Sequence, residues 1–284
     1  MAKVADRYVR PAILCRVSAG NGDELTVLPS EVPSVAKQLP GEWARSRVAV
    51  VVPTYNEADN LPILAERILG LPLPNLRMVV VDDDSPDGTG QVADGIAGDA
   101  EGRVHVVHRK VKDGLGRAHI AGMRKSIESG ADFVVQMDAD LSHQPETIPE
   151  LLGTALSTDA GLVIGSRYVI GGSMSDQWGK HRRLLSRGGS AYVNLVMGLD
   201  IRDATGGFKL WRRDVLESIC LDKVISDGFS FQIEMNYRCK LQGHKIVEIP
   251  IHFEERYSGT SKISLRIQLE ALLLPWRLKF GGLK

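Results

Sequence analysis

The feature that most limits how this chain folds is an alternation. From Arg47 onward, Val-rich apolar runs take turns with stretches of helical spacing. "RVAVVVPTY" is the first run, and a continuous apolar run suits a strand buried on both faces of a parallel sheet. "NEADNLPILAERILGL" follows with Leu61, Leu64, Ile68 and Leu71 at helical spacing. "LRMVVVDDDSPDGTG" is a second buried strand, "QVADGIAGDA" a short helix and "RVHVVHRK" a third strand. "GLGRAHIAGMRKSIESG" is a helix entered through glycines, and "ADFVVQMDAD" is the fourth strand. Such alternation predicts an α/β fold with a mostly parallel sheet flanked by helices. Sheets of this kind bind ligands beyond the carboxyl ends of their strands. The unusual residues gather there: Pro53–Glu57, Asp82–Asp87 and Asp138–Asp140.

Two carboxylates one residue apart at the end of a buried strand raise each other's pKa and resist burial. Asp138-Ala139-Asp140 therefore asks for compensation. Either one carboxylate caps the following helix, or the pair holds a hard divalent cation shared with water and phosphate. Asp82–Asp84 and Asp87 have a plainer reading as a solvated turn, because "SPDG" is a strong turn signal. That reading leaves unexplained the carboxylates directly abutting "MVVV".

Cations are the complement. Arg167 follows the strand-like "AGLVIG", and Arg256 and Lys262 bracket a Gly/Ser loop suited to closing on phosphates. "GKHRRLLSRGGS" is either an ordinary basic helix start or an anion site supported by helix amides. Net charge decides little beyond this. Lys+Arg and Asp+Glu are 35 each, so no global attraction to nucleic acid is indicated. Three scattered cysteines without a C-x-x-C fit a reducing cytosol. No apolar run reaches the roughly 18–20 residues of a spanning helix.

The ends read differently. Residues 1–46 form an N-terminal extension, with a hairpin-like stretch and then a linker. Residues 263–284 form an amphipathic segment carrying Trp276, Phe280 and several cations. It either packs on the domain or lies at a membrane interface. "SAYVNLVMGLDI" is a second apolar stretch with the same choice.

Taken together, "VVPTYNEADNL", "VVVDDDSPDGT", "GLGRAHIAGM", "MDADLSHQPE", "IGSRY", "TGGFKLWRRDV" and "RYSGTSK" resemble, in order, the dolichyl- or polyprenyl-phosphate mannosyltransferases. These belong to the inverting GT-A glycosyltransferases of family 2. The resemblance covers Arg47 to Leu274, so residues 47–274 are expected to be the catalytic domain. It implies that Pro53, Tyr55 and Glu57 line the nucleoside pocket, with Val81 and Asp83 at base and ribose. It implies that Asp138 and Asp140 hold Mg²⁺ or Mn²⁺ on the donor diphosphate, with Ala139 beside the sugar nucleotide. Some relatives place a Gln where Ser142 stands, so water replaces that ligand. Arg167 would sit between donor and acceptor, and Arg256 and Lys262 would grip the diphosphate. Arg182 and Ser186 would bind the lipid phosphate. The implied partners are GDP-mannose, a polyprenyl or dolichyl phosphate and a membrane surface, at the cytoplasmic face, with no nucleic acid. A membrane-anchoring partner is left open.

The acceptor phosphate is largely a dianion at neutral pH and needs no general base. His143 therefore reads as structural. Two alternatives stand beside this reading: a relative using UDP-glucose or another UDP-sugar, and a nucleotide-binding regulator without chemistry. The D-x-D, Arg167 and the Arg256–Lys262 pair weigh against the regulator.

Overall fold

The computed structural model describes residues 41–175, 179–254 and 265–280. The chain divides into two units, Met1–Gln38 and Leu39–Lys284, and every described residue belongs to the second. Helix α1 (Gly41–Arg45) lies in the second unit, and Trp43 rests against Gly153, where an added Cβ would come within 2.3 Å of the indole.

The expected alternation forms. Strand β1 (Val48–Thr54) is buried along its whole length. It leads to α2 (Asn60–Leu69), β2 (Leu76–Asp82), α3 (Thr89–Asp99), β3 (Val104–His108), α4 (Leu115–Glu128) and β4 (Phe133–Gln136). Helix α5 (Ile148–Thr158), β5 (Leu162–Ser166), a short β6 (Ser173–Met174) and α6 (Lys180–Met197) follow. Then come β7 (Lys209–Arg212), α7 (Arg213–Ile219), α8 (Gly228–Leu241), β8 (Ile246–Pro250), β9 (His252–Phe253) and α9 (Leu265–Phe280).

Seven strands make one sheet in the order β3-β2-β1-β4-β7-β5-β8, and β6 pairs with β9 in a small second sheet. All neighbours in the large sheet are parallel except β7, which runs antiparallel to both β4 and β5. The antiparallel strand has a local consequence. Lys209 at the start of β7 pairs with Gln136 at the end of β4 and with Ile164 near the end of β5. The carboxyl ends of the parallel strands and the 203–208 segment thus meet on one edge.

Each sheet face has its own core. Val48, Val50 and Val52 of β1 pack on one side, while Ala49 and Val51 pack on the other. Period-two alternation in a wholly apolar strand produces this division. On the Val51 side, α4 lies close, because a Cβ at Gly122 would be 2.3 Å from Val51 Cγ1. Leu61, Leu64 and Ile68 of α2 are fully buried, and Leu71 is partly buried against the same core.

The apolar stretch after the basic cluster turns mainly inward. Val193, Val196, Met197, Leu199 and Ile201 are buried, and only Leu195 of its large aliphatic residues is strongly exposed. Helix α9 packs on α6 and α8. Leu274 and Leu278 are buried there, whereas Leu273, Trp276 and Phe280 are exposed. Among the described residues, no helix is long and apolar enough to cross a membrane.

Candidate active site

Three loops at the carboxyl edge carry most of the expected residues, and each turns through a non-glycine residue in the left-handed region. These are Asn56, Asp84 and Leu141, at φ of 62°, 56° and 63°. Such backbone is uncommon and is held in place by its surroundings.

The first two loops are laced together. Asp82 accepts from Ser85 Oγ at 2.6 Å and from Thr54 Oγ1 at 3.2 Å. Asp87 accepts from Thr89 Oγ1 at 2.6 Å and from the Ala58 amide at 3.2 Å. Both therefore serve as braces. Asp83 is buried, and Arg109 Nη1 donates to its Oδ1 at 2.6 Å. Burial pushes the Asp83 carboxyl up, and Arg109 offsets only part of this. Glu57 is half-buried and accepts from Asn60 Nδ2 at 2.7 Å. Tyr55 is exposed, with the Lys112 ammonium 3.1 Å above its ring centroid. Pro53 and Ala139 are buried. Val81 is fully buried, beside Gly122 of α4.

The third loop follows β4. Asp138 is half-buried and Asp140 buried. Asp140 caps no helix. Its Oδ1 accepts from the Ser142 amide at 3.1 Å and from Ser142 Oγ at 2.5 Å. Ser142 thus orients the carboxylate. His143 Nδ1 accepts the Asp138 amide at 3.1 Å, which places the proton of the neutral ring on Nε2. The ring stacks on Phe208 at 5.0 Å and meets the edge of Phe253 at 5.4 Å. Burial holds His143 below its ordinary pKa. Among the described residues, no group of three or more His, Cys, Asp or Glu side chains is arranged to hold a metal. The donor set is two hard carboxylates, which fits Mg²⁺ or Mn²⁺ sharing its remaining positions with water and phosphate.

Arg167 leaves the end of β5 and forks onto Asp203. Nε donates to Oδ2 at 2.7 Å and Nη2 to Oδ1 at 2.6 Å. Asp203 is itself held through its amide by Glu248 Oε1 at 2.9 Å. Burial disfavours the charge on Arg167, but Asp203 more than offsets this and the pKa is raised. Beside it opens a cleft of about 450 Å³ lined by Arg167, Tyr168, Arg183 and Arg187 among others. The expected phosphate residues Arg182 and Ser186 belong to the same helix, α6. Arg256 and Lys262 lie outside the described residues.

Three contributors escaped the sequence reading: Asp203, Arg109 and Lys112. The cations Arg109 and Lys112 follow β3, a strand end of the same kind as those of β1, β2 and β4, so position would have found them. Asp203 has no such signal, since only the packing of its turn on β5 brings it to Arg167.

Comparisons with known proteins identify the family. Residues 49–220 match the family described as glycosyl transferase family 2. An undecaprenyl-phosphate mannosyltransferase of Micrococcus luteus is 46% identical over 80% of this chain and 91% of that protein. A polyprenol monophosphomannose synthase of Mycolicibacterium smegmatis is 44% identical over 77% of this chain and 81% of that protein. Among solved structures, a mannosyltransferase from Pyrobaculum calidifontis in complex with GDP-Man and Mn²⁺ superposes with a TM-score of 0.58 at 20% identity, covering 84% of this chain and 65% of that one. Glucosyl-3-phosphoglycerate synthase of Mycobacterium tuberculosis gives 0.59 at 20% identity, over 83% and 81%. At that identity the two structures speak for the fold alone. A family match over more than half the chain, with relatives close to half identical across most of their length, establishes that this chain belongs to glycosyl transferase family 2.

Proposed function

We propose that the chain transfers mannose from GDP-mannose to a polyprenyl monophosphate with inversion, giving a β-linked polyprenyl-phosphate mannose. The observation that carries this is the 46% identity, over 80% of the chain, with an enzyme named an undecaprenyl-phosphate mannosyltransferase.

Asp138 and Asp140 would hold Mg²⁺ or Mn²⁺, with Ser142 and His143 fixing the loop that presents them. The ion supplies charge neutralisation for the departing diphosphate. Tyr55 and Glu57, with the buried Pro53 and Asp83, are assigned to the nucleoside. Arg167, Arg183 and Arg187 line the cleft assigned to the lipid phosphate, with Arg182 and Ser186 on the same helix. Arg256 and Lys262 remain assigned to the diphosphate by resemblance.

The acceptor is its own nucleophile. Its second pKa is near 6, so a phosphate oxygen carries charge at neutral pH. That oxygen forms the new bond to the anomeric carbon as the bond to the diphosphate breaks, and GDP leaves. The protein aligns the two and stabilises the leaving group. His143 does not compete for the role of base, because Nδ1 is occupied by the Asp138 amide and burial disfavours the cation.

The acceptor's tail lies in a bilayer, and one surface suits peripheral contact. Leu184 and Leu195 stand about three turns apart on α6, on one face, and both are strongly exposed. Exposed Trp276 and Phe280 on α9 adjoin, and Trp276 Nε1 donates to Tyr192 of α6 at 2.7 Å. Exposed Arg277 and Lys279 supply charge toward anionic headgroups.

Mass spectrometry of a polyprenyl-phosphate reaction offered GDP-mannose, UDP-glucose and UDP-N-acetylglucosamine in parallel tests the reading. The mannosyl lipid alone is expected. A glucosylated product as the main species would replace it with the UDP-sugar alternative.

A further inference from the structure

Lys209 opens β7 and is fully buried. A lysine in a core is unusual, because its ammonium loses water it cannot easily replace. Here Nζ donates to Gln232 Oε1 at 2.7 Å, to Asn236 Oδ1 at 2.8 Å and to the Gln232 carbonyl at 3.4 Å. Three N–H groups meet three neutral oxygens, all on α8. Filling space does not require this, since an apolar side chain of similar length avoids the desolvation cost.

The network leads to the site from both ends of one segment. Asn236, held by Lys209, donates Nδ2 to the Ala204 carbonyl at 2.9 Å. Ala204 follows Asp203, which takes the fork of Arg167. At the other end, Phe208 precedes Lys209 and stacks on His143, whose Nδ1 accepts the Asp138 amide. Between them, Gly207 lies beside Asp138, since an added Cβ would stand in ordinary contact, 3.5 Å from Oδ2.

We propose that Lys209 is a positioning residue for transfer: its buried ammonium ties α8 to the 203–208 segment and so holds Arg167 and Asp138 in register. The inference rests on the transfer reaction proposed above.

The charge state of this group is sensitive. Burial pushes Lys209 down to about 7, against the opposing pull of Asp203 from the 203–207 turn. Cys239 is pushed up to about 12 by its own burial, and His119 of α4 is pushed down to about 3, so both are neutral around pH 7. Below that pH the ammonium satisfies all three oxygens. Above it the amine has two N–H groups for three acceptors, and the network loosens.

The test uses the full chain with Mn²⁺, GDP-mannose and a polyprenyl phosphate. Wild-type kcat is expected to fall as pH rises above about 7. Lys209→Met is expected to lower kcat about 10- to 100-fold, the scale of a small misplacement of reacting groups. Its alkaline fall should disappear. Gln232→Glu keeps the acceptor and adds a carboxylate, which favours the ammonium. It should move the alkaline fall upward by about one pH unit. In the protein without substrate, the Arg167 Nε–H should exchange at least tenfold faster in Lys209→Met, read by NMR. A merely structural lysine would move stability alone. Unchanged kcat and unchanged Arg167 exchange in Lys209→Met overturn the proposal. If that variant does not fold, an alkaline limb unmoved in Gln232→Glu overturns it. If the wild type transfers no mannose, the reading of function fails, and Arg167 exchange still decides the role of Lys209.

Discussion

At the scale of single residues, the site is built from pairs in which one member braces another. Asp140 is braced by Ser142 through two hydrogen bonds. Asp140→Ala is expected to lower kcat more than about 100-fold, because removing one preorganised charge-stabilising contact typically costs 10²–10³. Circular dichroism should show an intact fold, and kinetics in saturating Mn²⁺ check the rate. Ser142→Ala leaves both carboxylates but loses one brace. Its Mn²⁺ affinity should drop roughly tenfold, as for other groups that orient a ligand, measurable by electron paramagnetic resonance. His143→Ala should keep activity within about tenfold, below the 10²–10⁴ of a true general base. A thousandfold loss in a folded protein would reassign the ring to chemistry. The D-x-D was legible because two carboxylates at a strand end stand out in sequence. Asp203 was not, because an Asp in a turn looks like any solvated Asp until its neighbours are known.

At the scale of elements, helix amphipathicity and strand burial set most placements, and small residues set how close they come. Gly122 lets α4 settle on β1 and β2, with Val51 and Val81 directly beneath. Gly122→Ala is expected to cost about 1–3 kcal/mol from overpacking, seen as a lower denaturation midpoint with an unchanged slope. The α6 and α9 pair behaves differently, since it leaves apolar side chains in water. Leu184→Asp combined with Leu195→Asp should reduce co-sedimentation with anionic vesicles. It should also raise KM for a long-chain acceptor, and affect a short soluble acceptor much less. Vesicle binding equal to wild type would assign these leucines to another surface. The sequence marked residues 263–284 and the stretch "SAYVNLVMGLDI" for this role, and left the start of α6 as either a basic helix start or an anion site. Exposure on α6 was not legible, because its leucines follow helical spacing whether they face core or water.

At the scale of the whole molecule, pH acts through groups sealed inside. His119 is fully buried, and burial pushes its pKa from 6.5 to about 3. The unfolded chain takes a proton below about 6.5 that the folded chain refuses. Stability is therefore complete above that pH and is lost progressively as pH falls toward about 3. His119→Leu should flatten this acid slope in urea denaturation, and an unchanged slope would place its origin elsewhere. The sequence by itself determined the layered α/β plan, because a Val-rich run and a helical stripe each bury in only one way. It also determined where carboxylates and cations would collect, since parallel strands end on a common edge. Only the tertiary structure decided that β7 runs antiparallel between β4 and β5, because strand order depends on long-range pairing and not on local pattern. That insertion brings Asp203 to Arg167, Phe208 to His143 and Lys209 beneath both. The partners of each pair lie far apart in the chain, and only packing supplies the dry surroundings that give their charges and hydrogen bonds effect.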